Sequence, residues 1–286
     1  MDDKAMYYCN NERYGMYGGD WKGHVLPGTA FLVWGLHWLN GSLQRYYSSK
    51  PEEYRSLGYY GLSSSLPWPI EGVIKIVLTI LGSFLELTWQ KENGYARVIC
   101  KPGTAREGHL NGKTVHNWQH FASYPGFFVS GVVDFLYYYT QASLPQDGEK
   151  VFLGLAFFNE GLIMLLHKKH DPLDVLLHQT LGYVMVATAL SVWAEVVWPR
   201  SFTATLCRAG TIMGQGVILW IIATLIRGEY LIAWDQSYKD DQVPAQYAAV
   251  IIVQGILGLQ CLFAVLAAMS SLRTRASPTP ERGPGQ

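Results

Sequence analysis

The chain has 286 residues, a formal net charge of +0, and 49% hydrophobic against 15% charged residues. Because a soluble domain carries about 25% charged residues, this composition favours a membrane protein. The balanced charge gives no electrostatic footprint for nucleic acid, so we expect the lipid bilayer and other membrane proteins as partners and no nucleic acid.

Seven apolar segments follow one another along the chain, and each is close to the length of about 20 residues that a transmembrane helix needs. Their approximate ranges are 27–46, 68–90, 116–140, 150–168, 173–198, 201–227 and 245–271. The first two are weaker, since one is rich in Gly and Trp and the other contains three charged residues. We predict an all-α polytopic membrane protein, a bundle of seven transmembrane helices.

The segments outside this bundle differ from it in composition. Residues 1–20 form a polar N-terminal tail, residues 21–272 hold the seven-helix transmembrane domain, and residues 273–286 are rich in Pro with few apolar residues. Such a composition cannot bury enough apolar surface to fold, so we predict a disordered C-terminal tail.

The cysteines and the basic residues bear on membrane orientation. Cys9, Cys100, Cys207 and Cys261 form no closely spaced pair, so a disulfide framework is not expected. Threading places Cys9 and Cys100 on the same side of the membrane, which leaves one bridge open if that side is oxidising. Lys and Arg are more numerous on that N-terminal side, which favours its being cytosolic.

Five ionisable residues from different segments fall at one depth when seven helices are threaded back and forth. His120 lies about a turn into the third segment, His167 ends the fourth, and His178 lies about a turn into the fifth. His24 precedes the first segment, and Glu86 lies late in the second. Because ionisable groups within a membrane are costly and face the bundle interior, we predict a polar layer near the N-terminal side.

Three interpretations of this histidine layer stay open. The side chains could be interhelical hydrogen-bonding groups, a proton or ion path, or a zinc site. Neutral imidazoles are preferred zinc ligands, and the candidate metal ligands are His120, His167 and His178, with His24 as a further one. A zinc-bound water would be a nucleophile at neutral pH, with Glu86 or Glu160 as the candidate catalytic general base. Glu160 lies about 10 Å deeper than His167 on the same helix, which suits a relay or a buried hydrogen-bond partner better.

A second polar layer is predicted near the opposite side of the membrane. It contains three acids and two bases: Glu71, Lys75, Asp134, Glu195 and Arg208. Glu71 and Lys75 have the i,i+4 spacing that allows pairing on one helix, and Arg208 would pair with Glu195 or Asp134. We interpret these residues as structural intramembrane ion pairs.

An ordered series of motifs resembles the transmembrane protein 45 family, which includes the transmembrane epididymal protein. The motifs are Trp21-Lys22-Gly23-His24-Val25-Leu26-Pro27-Gly28, Asn117-Trp118-Gln119-His120, Asn159-Glu160-Gly161, Asp171-Pro172-Leu173-Asp174 with His178, and Trp234-Asp235-Gln236. The resemblance covers about residues 20–272. It implies a seven-span integral membrane protein of undetermined biochemical activity, in endomembranes or at the plasma membrane.

Three functions are therefore weighed. The first is a non-enzymatic interaction or scaffold role in the membrane. The second is a zinc-dependent intramembrane hydrolase of a lipid amide or ester; in architecture and histidine placement the chain is similar to alkaline ceramidases and progestin and adiponectin receptors, but residues 245–271 lack their paired histidines. The third is a proton-coupled carrier with Glu160, His120 and Asp134 as its relay.

Overall fold

The computed structural model describes residues 6–7, 9–11, 13–14, 21–50, 52–60, 69–88, 96–140, 146–167, 171–225 and 242–276. These residues form eight helices: α1 (Trp21–Ser48), α2 (Ile70–Thr88), α3 (Val115–Phe121), α4 (Tyr124–Thr140), α5 (Gly148–Leu165), α6 (Pro172–Val197), α7 (Phe202–Leu225) and α8 (Gln242–Ala276). Two short strands, β1 (Met6–Tyr7) and β2 (Arg13–Tyr14), pair antiparallel ahead of them. The predicted all-α architecture therefore holds for the described part of the bundle.

Two helix boundaries differ clearly from those predicted. The first helix begins at Trp21 rather than at residue 27 and contains Pro27, which has no N–H to donate to the carbonyl of Gly23. The last helix continues to Ala276, so helical backbone reaches four residues into the predicted tail. Residues 277–286 lie outside the described residues.

The third predicted segment is two helices, α3 and α4, separated at Ala122 and Ser123. Pro125 follows the break; it has no backbone N–H to donate and disfavours helical geometry in the residue before it. Ser123 instead closes the first helix, since its backbone N–H and its hydroxyl both donate to the carbonyl of His120, at 3.0 and 2.7 Å.

The helices pack in the order α2, α4, α5, α6, α7, α1, with α8 lying against α7, α1 and α6. Aromatic side chains fill the space between α1, α4 and α5, where Phe127 and Phe157 have ring centroids 5.0 Å apart and Trp34 lies 5.9 Å from Phe157. Glu71 on α2 accepts hydrogen bonds from Trp34 and Trp38 on α1. These bonds join the two ends of the series, so the six helices enclose a common core.

Among the described residues, three helical segments are long and apolar enough to cross a membrane: Pro172–Val197, Phe202–Leu225 and Gln242–Leu272. The surface of the bundle is apolar elsewhere too, as shown on α2 by the exposed side chains of Val77, Ile80 and Phe84. Ionisable groups lie inside, and Arg208 and Glu195 are both fully buried. An apolar exterior around a partly charged interior is the pattern that a lipid environment favours.

The N-terminal segment is attached to the loop between α2 and α3. Cys9 and Cys100 form a disulfide with their Cα atoms 5.4 Å apart, and the backbone N–H of Arg106 donates to the carbonyl of Cys9 at 2.9 Å. The bridge that the sequence left open is thus formed. Cys207 and Cys261 are free and exposed.

The loop after α1 folds back onto the bundle. Tyr54 is almost fully buried, and its hydroxyl donates to the Thr205 hydroxyl on α7 at 3.0 Å. Burial raises the pKa of Tyr54 to about 12, so this side chain is neutral at physiological pH. The loop therefore helps to close the end of the bundle remote from His24.

Candidate histidine site

The histidine cluster, which comprises His24, His120, His167 and His178, lies where α1, α3, α6 and the end of α5 meet. His120 on α3 and His167, two residues after α5, have ring centroids 4.9 Å apart, with their Nε2 atoms separated by 3.5 Å. His178 on α6 lies 5.4 Å from His167 and 5.6 Å from His24 between ring centroids. The four rings therefore form a continuous series.

The helix starts and ends explain how these rings come together. Asp171 caps α6, accepting a hydrogen bond from the backbone N–H of Asp174 at 3.1 Å, and Pro172 occupies the first turn; both features favour a helix start. His178 consequently lies in the second turn of α6. His167, two residues after α5, lies beside it.

Glu86 on α2 orients the His120 ring. Its Oε1 lies 3.2 Å from Nδ1 of His120, and its Oε2 accepts a hydrogen bond from the Asn117 side-chain amide at 3.0 Å. Because Asn117 and His120 are three residues apart on α3, they share the face that meets α2. Glu86 thus connects two helices at the edge of the cluster.

Gln119 orients the His167 ring. Its Oε1 lies 2.6 Å from Nδ1 of His167, and its side-chain amide donates to the carbonyl of Ile163 at 3.3 Å. The second bond fixes which end of the amide faces the histidine. Since an amide oxygen can only accept, Nδ1 of His167 carries the proton in this arrangement.

His178 is oriented by its own helix. Its Nδ1 lies 2.8 Å from Oδ1 of Asp174 and 2.9 Å from the carbonyl oxygen of that residue. Both atoms are acceptors, so Nδ1 of this imidazole is also protonated. His178 is 3% exposed, which removes bulk water as a competitor for these bonds.

The predicted layer is therefore assembled in space, with His24, Glu86, His120, His167 and His178 in contact as a series. No group of three or more His, Cys, Asp or Glu side chains in the described part of the chain already has ligand geometry. Whether these residues bind a metal stays a prediction. Glu160 is two turns before His167 on α5, about 10 Å away along the axis, and it lies apart from the series.

The second polar layer separates into three groups. Lys75 on α2 pairs with Asp134 on α4 at 2.5 Å and donates to Ser130 at 3.0 Å. On the other side, Arg208 on α7 lies 3.2 Å from Glu195 on α6. Its guanidinium also lies over the Trp38 ring, 4.2 Å from the centroid, a favourable cation–π position.

Glu71, the fifth member, does not form the predicted pair with Lys75 among the described contacts. Its carboxylate accepts from the indole N–H groups of Trp34 and Trp38, both at 2.9 Å, and from the backbone N–H of Tyr60 at 3.0 Å. His37 Nε2 is 3.7 Å away. The i,i+4 spacing would allow an ion pair with Lys75, but the Glu71 carboxylate instead accepts hydrogen bonds from the uncharged indole N–H groups on α1.

Several functional-site residues could not be assigned from the sequence. Gln119 and Trp38 are uncharged, and nothing local shows that they hydrogen-bond to other helices. Asp174 had a recognisable signal, because it precedes His178 by four residues and therefore shares its helix face. Carboxylates at such spacing from a buried histidine merit inclusion in a candidate site.

A cavity of about 340 Å³ lies at the other end of the bundle. The loop after α1, the last turns of α4 and the start of α5 supply its walls. The lining residues are Arg55, Ser56, Leu57, Gly58, Tyr137, Gln146, Asp147 and Glu149. Asp147 pairs there with Arg55 at 2.6 Å and with buried Lys150 at 2.9 Å. Because the 18 residues of α5 separate this cavity from His167, by about 27 Å along the helix, it is no substrate cleft for the histidine cluster.

Comparison with protein families gives one match. Residues 146–242 match a family model described as Family of unknown function (DUF716). This family includes the transmembrane protein 45 proteins. The matched region contains α5, α6 and α7, with His167 and His178, whereas Glu86 and His120 precede it. The match is therefore to an uncharacterised family that fits a membrane-embedded helical protein.

Proposed function

We propose that the chain is a seven-span integral membrane protein of the transmembrane protein 45 type, with a non-enzymatic interaction role in an endomembrane or the plasma membrane. The observation that carries this proposal is helix α8. Its apolar segment Gln242–Leu272 has none of its most apolar window buried in the bundle. Such a surface requires lipid or another membrane protein around it.

Two polar side chains on α8 support a protein partner. Gln254 and Gln260 are exposed within this apolar segment. In hydrocarbon an amide without a partner is costly, and glutamines on transmembrane helices commonly hydrogen-bond to a neighbouring helix. A second membrane protein that supplies a donor or acceptor at this depth would satisfy them.

The count of seven follows from treating α3 and α4 as one interrupted crossing. Helices α1, α2, α5, α6, α7 and α8 supply the other six. An odd number of crossings requires the two termini to lie on opposite sides of the membrane. Protease protection of tags at each terminus in sealed vesicles checks this: we expect one tag digested and one protected, whereas equal protection would contradict seven spans.

The interaction role is tested by site-specific photo-cross-linking in membranes. A photoreactive residue at Gln254 is expected to give discrete adducts with protein. The same residue at Val77, an exposed apolar position on α2, is the control and is expected to react with lipid alone. Absence of protein adducts at position 254 would contradict the interaction role.

A zinc-dependent lipid amide or ester hydrolase is the second candidate, and the clustered imidazoles favour it. The acids weaken it: Glu86 is held by His120 and Asn117, and Glu160 lies about 10 Å from His167 along its helix. Release of fatty acid from ester or amide lipids by the zinc-loaded protein is the test, and loss of that release in His178→Gln would support it. No described contact joins Glu160, His120 and Asp134, so the carrier has no comparable support.

A further inference from the structure

The three central imidazoles of the histidine cluster share one feature, because each directs Nδ1 towards an oxygen. The partner is a carboxylate of Glu86 for His120, an amide oxygen of Gln119 for His167, and Asp174 for His178. Metal-binding histidines characteristically donate the N–H that does not face the metal to a carboxylate or carbonyl oxygen. Such partners fix the tautomer and leave Nε2 as the lone-pair donor.

We propose that His120, His167 and His178 bind one divalent transition-metal ion of the zinc class through their Nε2 atoms. The ion would lie inside the bundle near the membrane face at which α6 begins. Imidazole nitrogens suit zinc, copper, nickel and iron, and three of them leave a fourth tetrahedral position open. His24 contacts the His178 ring and is a further candidate ligand.

The distance between His120 and His167 matches this proposal closely. Two nitrogen ligands at about 2.0–2.1 Å from a tetrahedral zinc ion are about 3.4 Å apart, and the two Nε2 atoms are separated by 3.5 Å. With both Nδ1 atoms protonated, each Nε2 of a neutral ring is an acceptor. Two acceptors at this distance repel each other unless a proton or a metal ion lies between them.

The third ring, His178, is spaced from His167 much as His120 is. Two imidazoles on one tetrahedral zinc ion have ring centroids about 5 Å apart, compared with 4.9 Å for His120 and His167 and 5.4 Å for His167 and His178. Among the described residues no three His, Cys, Asp or Glu side chains are already positioned to hold a metal ion, so binding requires the His178 ring to reorient towards the other two.

Cobalt uptake by the wild-type protein is the direct test, because it depends on no variant's folding. The full chain, purified in detergent and treated with chelator, is titrated with Co²⁺ and then Zn²⁺. We expect saturation at one ion per chain, a visible tetrahedral cobalt spectrum, and displacement by zinc. Folded protein that takes up no stoichiometric cobalt would overturn the proposal and favour a proton shared between the two Nε2 atoms.

Variants then assign the ligands. His120→Gln and His178→Gln are expected to weaken cobalt binding at least tenfold. The matched control is His109→Gln, an exposed loop histidine whose Nδ1 faces the carbonyl of Glu107, and it should bind as the wild type does. Binding unchanged in both cluster variants, or equally weakened in the control, would overturn the assignment.

Asp174→Asn separates a metal site from helix packing. The asparagine can still accept from Nδ1 but holds the tautomer less firmly, and the loss of such a partner typically reduces metal affinity about 10–100-fold. We expect the cobalt spectrum to persist at saturation with that reduced affinity. A metal affinity unchanged by the substitution would contradict the role given to Asp174.

Discussion

At the scale of single residues, Glu71 shows how one buried acid can join three parts of the chain. It lies on α2, receives indole N–H groups from Trp34 and Trp38 on α1, and receives the backbone N–H of Tyr60 from the loop between them. Each hydrogen bond to an ionised group is worth about 1.5–3 kcal/mol. The carboxylate therefore holds the series of helices closed.

Glu71→Gln is expected to destabilise the bundle by about 1.5–3 kcal/mol, because the amide places an N–H₂ group against donors. Thermal unfolding in detergent, followed by tryptophan fluorescence, measures the change as a lower midpoint. The control is Glu53→Gln, an exposed acid paired only with Lys50 at 3.6 Å. An equal midpoint for the two variants would show that the indole bonds contribute nothing.

The same residue shows what sequence spacing can decide. The i,i+4 pattern correctly identifies which side chains share a helix face, but it cannot rank a neighbour on that helix against donors from another one. Lys75 and Asp134 are separated by 59 positions and pair at 2.5 Å. Such long-range choices depend on packing, which the sequence pattern does not contain.

At the scale of helices, apolar length predicts the elements well and their interruptions poorly. Most predicted segments correspond to one helix within a few residues. The break between α3 and α4 was not predicted, although Ser123 and Pro125 offered a local signal for it. Apolar composition continues across the break, and composition alone therefore conceals it.

Helices α2 and α4 approach each other through glycine. A Cβ atom at Gly131 would lie 2.8 Å from the backbone oxygen of Gly72, and one at Gly72 would lie 3.0 Å from the oxygen of Gly131. Small residues allow such close backbone contact between transmembrane helices. Lys75 and Asp134 pair across the same contact, since a Cβ atom at Gly131 would lie 3.1 Å from the Cβ of Lys75 and one at Gly72 would lie 3.1 Å from the Cβ of Asp134. The short distance of the pair therefore depends on these glycines.

Gly131→Ala is expected to destabilise the protein by about 1–3 kcal/mol, the usual cost of overpacking, because backbone atoms must separate. Gly210→Ala on α7 is the matched control, since a Cβ atom there meets nothing within 4 Å. Replacing glycine in a helix favours folding by up to about 1 kcal/mol, so its unfolding midpoint should rise slightly. Parallel thermal scans of the two variants decide the point, and a rise in both would contradict the close contact.

At the scale of the whole molecule, alternation of helix direction made the histidine cluster predictable. Threading alone places His120, His167 and His178 at one level, and the structure brings their rings within contact. Threading could not show which helices are neighbours, nor that Gln119 and Asp174 orient the rings. Those details follow from helix order and from the break before α4.

Membrane orientation is where two signals disagree. The excess of Lys and Arg favours a cytosolic N-terminal side, but Cys9 and Cys100 form a disulfide on that side, and disulfides persist in oxidising compartments. The charge excess is spread over several loops, whereas the disulfide requires one compartment. We therefore expect the N-terminal segment and the α2–α3 loop to face the lumen or the exterior.

This orientation predicts that Cys9 and Cys100 are oxidised in cells. The test uses a Cys207→Ser, Cys261→Ser variant, in which Cys9 and Cys100 are the remaining cysteines. Cells that express it are alkylated with a thiol-reactive mass tag, with or without prior reduction. We expect two tags per chain after reduction and none without it. Cys100→Ser in that background should expose Cys9 to an impermeant maleimide on intact cells where the protein lies in the plasma membrane, and only after the organelle is opened where it lies in an endomembrane. If both thiols are free and react only after permeabilisation, the N-terminal side is cytosolic, and the basic residues have set the orientation instead.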